Sequence, residues 1–171
     1  SAIAVTLAYA EQHRLRTIGD LRNVATNLVM GGPPQFKTGR NYLPLVEQVY
    51  GFAPSSYQSL DIGSQYQNLA SGTIQAADVN TTDGELASGN YVLLADPRNV
   101  FGWGQALPVV PVKVLEAEGP AFAATINDVS ALLTTNVIRW LNGQVDTAHR
   151  DPAAVAREFL ETHGVIPPGS S

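Results

Sequence analysis

The chain has no cysteine among its 171 residues. That excludes disulfides, thiolate metal sites and a cysteine nucleophile. No apolar run approaches the roughly 18 residues that a membrane-spanning helix needs. No Lys- or Arg-rich run is present either. Ten basic against fifteen acidic residues leave a net charge of −5, the wrong sign for nucleic acid or an anionic membrane surface. Ser1 to Ala10 lacks the basic stretch of a secretory signal. The three histidines, His13, His149 and His163, are far apart and form no H-x-x-x-H pair, so they lack the clustering of a metal site. There is no G-x-S-x-G elbow. Gly31-Gly32 is followed by Pro33-Pro34, which removes the N–H donors of a phosphate cradle. Asp78 and Asp83 are an acid pair without fixed geometry. The expectation is therefore no catalytic residue, no metal and no cofactor.

What is present suits globular structure: 44% hydrophobic and 15% charged residues. Ser1–Val5 reads as a strand and Leu7–Arg14 as a helix. Thr17 caps a second helix, Ile18–Ala25, with Asp20 at the third helical position. Asn27–Met30 reads as a strand broken by Gly31 to Pro34. Tyr42–Val49 is helical, with Pro44 in its first turn. Tyr57–Ile62 and the apolar run Tyr91–Ala95 read as strands. Strands alternating with helices predict an α/β sheet. After Phe101 the character changes. Ala106–Val112 is apolar with Pro108 and Pro111, and the remainder reads as helical. Phe122, Ile126, Val129, Leu132 and Leu133 share one spacing, and Val137, Ile138, Leu141 and Val145 another. Asp151-Pro152 starts a last helix, which Gly164 ends.

The densest segment is Asp61 to Gly84. Ser64 is expected to cap a helix with its hydroxyl accepting a backbone N–H. Tyr66, Leu69 and Ala70 share a helical face. Gly72 supplies the left-handed terminating residue, and Thr73–Val79 reads as a strand. Asn80, Thr81, Thr82 and Asp83 follow at its carboxyl end, where α/β sheets receive ligands; the plain alternative is an ordinary capped turn.

This segment resembles the D-I-G…T-D-G stretch in the second lobe of substrate-binding proteins of ABC importers for osmoprotectants: glycine betaine, choline and carnitine. Further pieces agree in the same order. Gly31–Pro44 is similar to the family's Gly-Pro-Glu-Phe loop leading to Leu-Pro. Val49-Tyr50-Gly51 matches a family tripeptide, and Leu141–Asp146 and Asp151–Leu160 resemble two family stretches near the carboxyl end. The resemblance implies one α/β lobe of a type II periplasmic-binding-protein fold over 1–99, a hinge crossover over 100–106 and a helical tail of the other lobe over 107–168. The hinges would lie near Val5 and between Asn99 and Ala106, with Gly102 and Gly104 letting the second flex. It implies a carboxy-terminal portion of a longer precursor. The protein would be extracytoplasmic, with any export signal or lipid anchor upstream. Its partners would be a small-molecule solute and ABC permease subunits, and no nucleic acid. Apolar faces around Val129, Leu133, Ile138 and Trp140 would lack their usual cover, so the fragment is expected to self-associate.

The family holds quaternary ammonium ligands in a tyrosine cage, as cation–π attraction requires. Here those tyrosines correspond to Asn80, Gly104 and a position at or before Ser1. The family's arginine after Phe-Lys-Thr corresponds to Gly39, with Arg40 displaced by one. Trp103 and Tyr42 lie beside emptied positions, where either a rebuilt cage or hinge and helix packing accounts for them. The candidate ligand-binding set is Thr38, Arg40, Tyr42, Asn80, Thr81, Thr82, Trp103 and Gln105. Its polarity suits a hydroxylated ligand: a polyol, a sugar-like compound or a polyhydroxylated aromatic. Two alternatives stand beside this: a sensor or interaction domain without transport, and an enzyme using the Asp78, Asp83 and Thr82 neighbourhood.

Overall fold

The computed structural model describes residues 1–102 and 104–169. The chain divides into two compact units, Ser1–Gly102 and Trp103–Ser171.

The first unit runs β1 (Ala2–Thr6), α1 (Leu7–His13), a 3-10 helix (Ile18–Asn27), β2 (Val29–Gly32), α2 (Pro34–Thr38), α3 (Leu43–Tyr50), β3 (Ser56–Ser59), α4 (Gln65–Ala70), β4 (Ala76–Val79), a second 3-10 segment (Gly84–Ser88) and β5 (Tyr91–Leu93). The strands form one sheet in the order β3-β2-β4-β1-β5. β2 is parallel to both β3 and β4, and β1 is antiparallel to β4 and β5. The carboxyl ends of β2, β3 and β4 therefore share an edge with the amino end of β1. Ala2 pairs with Val79, which sets Ser1 at the level of Asn80.

Strand alternation gives the sheet two apolar faces. One carries Ile3, Val5, Met30 and Ala76 beneath Ile18, Leu21, Phe36, Leu43, Val46 and Tyr50. The other carries Ala4, Ala77 and Val79 against Tyr66, Leu69, Ile74 and Leu86. Both faces being covered explains the near-continuous apolar runs of β1 and β4.

Local signals decide most element starts. Asp20 reaches back to accept the N–H groups of Arg16 and Thr17 at 2.9 and 2.7 Å, as the spacing predicts, although the helix it opens is 3-10 rather than α. Gly72 is left-handed at φ +76°. Three expectations are corrected. Ser64 does not accept a helix N–H: it is itself in helical conformation, and its hydroxyl donates to the Asp61 carbonyl at 2.7 Å. The strand expected over Thr73–Val79 is confined to Ala76–Val79, and the Gln75 side chain accepts the Val29 N–H at 2.9 Å instead. Val5 is buried inside β1 and pairs with Val92. The glycines expected to break β2 are inside it. A Cβ on Gly31 would stand 2.7 Å from Ile74 and 2.9 Å from Leu60, and one on Gly32 would stand 2.7 Å from the Tyr57 hydroxyl. They are glycines because neighbouring side chains cross the strand closely, not because the chain turns.

The second unit contains α5 (Val112–Glu118), α6 (Pro120–Leu132), α7 (Thr135–Asn142) with a π-helical extension (Gly143–Thr147), and α8 (Pro152–Thr162). Thr134 caps α7 through the Val137 N–H, and Asp151 caps α8 through the Ala154 N–H at 2.8 Å. Val155 and Phe159 of α8 are buried, whereas no residue of α5, α6 or α7 is. Among the described residues, no single helix is long and apolar enough to cross a membrane.

Candidate functional site

The carboxyl edge of the first unit's sheet is assembled around Phe36. α2 holds this residue at 2% exposure, because Pro34 starts the helix directly after β2 and turns its third residue inward. Three aromatic rings surround it: Tyr42 at 5.6 Å, Phe101 at 6.1 Å and Tyr57 at 6.4 Å between centroids. Tyr42 and Phe101 are also walls of an open groove of about 400 Å³, completed by Ser1, Asn41, Leu45, Asn99, Val100 and Gly102.

Phe101 was not among the residues expected at the site. Its place depends on Asp96, whose carboxylate accepts the Phe101 N–H at 3.0 Å and the Tyr50 hydroxyl at 2.5 Å. The Arg98 N–H donates in turn to the Tyr50 oxygen at 3.2 Å, and the Arg98 guanidinium lies 5.5 Å above the Tyr50 ring. Burial and the bond to Asp96 push the Tyr50 hydroxyl up to about 12. Burial alone would raise the Asp96 carboxyl, but Tyr50 and the loop N–H groups outweigh it and hold the group below its ordinary value.

The other unexpected residue is Asp78, previously considered only as half of an acid pair. It is the third residue of β4, and burial pushes its carboxyl up to about 6, against the opposing pull of Ser1. Its Oδ1 is buried with no hydrogen-bond partner. Burial and the Asp78 charge together raise the nearby Tyr57 hydroxyl above its usual range. A charged residue inside an otherwise apolar strand, A-A-D-V, was the signal available in the sequence.

The expected residues fall as follows. Tyr42 lines the groove and is 40% exposed. Thr38 ends α2, and its hydroxyl points back to the Pro34 carbonyl at 3.4 Å. Arg40 is exposed in the following turn. Asn80, Thr81 and Thr82 form the turn after β4. That turn is closed by Asp83, which accepts the Asn80 N–H at 2.9 Å and the Tyr66 hydroxyl at 3.0 Å. Asp83 is thus committed to turn geometry rather than to a partnership with Asp78. Gln105 is exposed and belongs to the second unit. Trp103 lies outside the described residues. Thr38, Arg40, Asn80, Thr81 and Thr82 are not among the groove's walls. Among the described residues, no three His, Asp or Glu side chains gather as metal ligands would.

Comparison with known proteins gives a consistent result. The model of the substrate binding domain of ABC-type glycine betaine transport system matches residues 1–162. The chain is 26% identical over 181 aligned residues to a glycine-betaine-binding protein of Pseudomonas aeruginosa, covering 99% of this chain and 58% of that protein. It is 24% identical to an ergothioneine transport permease/ergothioneine binding protein of Helicobacter pylori, covering 96% of this chain and 30% of the relative. A solved structure described as a glycine betaine/carnitine/choline ABC transporter superposes with a TM-score of 0.79 at 25% identity, over 96% of this chain and 59% of that one. The chain thus spans less than two thirds of the length of these relatives. The mixed α/β architecture is that of type II periplasmic binding proteins.

Proposed function

The chain belongs to the family of substrate-binding domains of ABC-type glycine betaine transport systems, and from that premise we propose that it captures a small solute outside the cytoplasm for delivery to an ABC permease. The observation that carries this reading is the family match over residues 1–162, with an open, aromatic-walled groove beside the carboxyl edge of the sheet. The relative that joins a permease and a binding protein in one name supports the coupling to transport.

The mechanism is hinge closure. A solute that touches both lobes only in the closed state binds that state better and shifts the population toward it. On this reading the ligand side of this lobe comprises Tyr42, Thr38, Arg40 and the Asn80–Thr82 turn. Asn80 stands where the family's cage has a tyrosine, so cation–π attraction is weakened and hydrogen bonding gains weight. The solute class is accordingly hydroxylated: polyols, sugar-like compounds or polyhydroxylated aromatics.

A thermal-shift series on the protein expressed from its full reading frame tests this. The panel contains glycine betaine, choline, carnitine, polyols, sugars and polyphenols. A solute at about 100 times its dissociation constant stabilises by roughly 2.7 kcal/mol, well within detection. A shift with hydroxylated compounds alone is expected. Strong glycine betaine binding, abolished by Trp103→Ala, would overturn the specificity part, and no shift with any solute would overturn the reading as a whole.

A further inference from the structure

Asp78 carries an unmet chemical demand at the edge where α/β sheets receive their ligands. β2 and β4 run side by side and end together there, with Gly31 paired to Ala77, so Asp78 stands next to Gly32. The Oδ1 atom is buried and accepts no hydrogen bond among the described residues. A buried acceptor left without a donor is destabilising, and a native structure that keeps one has a partner elsewhere.

The neighbourhood supplies none. Gly32 brings no side chain, and a Cβ there would stand 3.0 Å from the Asp78 Cβ. The Tyr57 hydroxyl, the nearest phenol, donates to the Pro33 carbonyl at 2.9 Å. Pro33 and Pro34, which follow β2, have no N–H to offer. The Gln65 amide reaches only the main-chain carbonyl of Asp78, at 3.4 Å. Asp83 is itself an acceptor, occupied by Asn80 and Tyr66. The Ser1 side chain hydrogen-bonds the carboxyl group, yet Oδ1 stays without a partner.

We infer that Asp78 is a specificity-determining acceptor, whose carboxylate takes a hydrogen bond from an O–H or N–H donor on the bound solute. The inference rests on the solute-binding reading above. The terminal torsion of aspartate is broad and Asp78 is only partly buried, so a modest turn of the carboxylate brings Oδ1 towards the ligand edge. A fully N-methylated head group has no strong donor and leaves the carboxylate as it is in the unliganded protein. A head group with one N–H, or a hydroxyl, satisfies it. Sites built to hydrogen-bond a ligand group reject analogues that lack it far more strongly than sites that merely fit its shape.

The matched probes are glycine betaine and N,N-dimethylglycine, which share charge and carboxylate and differ by one N–H donor. Sorbitol serves as the neutral polyol. Dissociation constants are measured by calorimetry on the full-length protein, its Asp78→Asn variant and, should that misfold, Asp78→Ser. The expected result is at least tenfold tighter binding of dimethylglycine or sorbitol than of glycine betaine, with that preference lost in Asp78→Asn. The variant should melt no lower than the parent without solute, which separates lost recognition from lost folding. A preference for glycine betaine, or a donor preference that survives both substitutions, overturns the role of Asp78 while leaving solute binding intact. Failure of all three probes and of the wider panel to bind overturns the solute-binding reading and this inference with it.

Discussion

The ring of Tyr42 occupies the space into which a side chain on Gly39 would project: a Cβ there would run into the ring and stand 2.8 Å from the Gln35 carbonyl. A side chain at position 39 and the observed seat of Tyr42 on Phe36 therefore compete for the same space.

That relationship predicts the outcome of restoring a side chain. Gly39→Ala is expected to cost about 1–3 kcal/mol through overpacking, chiefly because the Tyr42 ring, seated on Phe36, is the nearest group to the new Cβ. In Tyr42→Ala the same substitution should cost much less. A double-mutant cycle by urea unfolding measures the coupling, which should reach at least about 0.5 kcal/mol for side chains in contact. Additive costs would mean that Tyr42 does not rest on Gly39 in solution.

A second prediction concerns the groove's other aromatic wall. Tyr50→Phe removes the hydroxyl that donates to Asp96 at 2.5 Å and should cost about 1.5–3 kcal/mol, as for hydrogen bonds to charged groups. Asp96 also holds the Phe101 N–H, so the loop from Asp96 to Phe101 should loosen with it. Hydrogen exchange at the Phe101 amide is the readout. Faster exchange there than the global destabilisation accounts for is expected, and a uniform change would show that Tyr50 merely packs.

Where the chain's own chemistry decided a local structure, the sequence was sufficient. Thr17 with Asp20, Asp151 with Pro152, and Gly72 each act within a few residues, and each is found where its spacing predicts. The illegible features depend on residues distant in sequence. Gly31 and Gly32 look like a break until Ile74, Leu60 and Tyr57 are seen crossing them. Phe101 looks like a linker residue until Asp96, itself bonded by the Tyr50 hydroxyl, is seen accepting its N–H. Asp78 was visible as a charge in an apolar strand, but its buried, unpartnered oxygen is a property of the folded sheet. The Asn80 turn was read as a ligand-facing element, and the closure of that turn by Asp83 required the bond itself.

Asp78 also predicts an unusual pH dependence. Its folded-state value, about 6, lies above the 3.8 of the free side chain because burial penalises the charge. Between those values the folded protein holds a proton that the unfolded chain has released, so stability falls as pH rises from about 4 to about 6. The expected loss is on the order of 2 kcal/mol. Asp20 and Asp96, both held below their ordinary values, act oppositely and lose their contribution only at lower pH. Asp78→Asn should flatten the pH 4–6 segment of the stability profile and raise the plateau above it. An unchanged profile in urea titrations across that range would show that Asp78 is solvated in solution.

The helical unit yields the last prediction. Its α5, α6 and α7 bury no side chain fully, while Leu133 and Trp140 are 36% and 43% exposed and Leu107, Val109 and Val112 considerably more. Trp140 and Val137 also wall an apolar groove of about 430 Å³ against Phe159 of α8 and His163, which follows that helix. Apolar surface on this scale favours association, and a half-exposed tryptophan beside a groove has the character of an interface anchor. The 171-residue chain by itself is expected to dimerise, with Trp140→Glu weakening the dimer by at least about 2 kcal/mol, or roughly thirtyfold in dissociation constant. Sedimentation equilibrium over a concentration series measures both values. A monodisperse monomer with a cooperative melt would refute the prediction, since the exposed helices would then be stable without a partner. A dimer indifferent to Trp140→Glu would move the interface to the Leu107–Val112 stretch, whose side chains are the more exposed and whose substitution by Ser would then dissociate it.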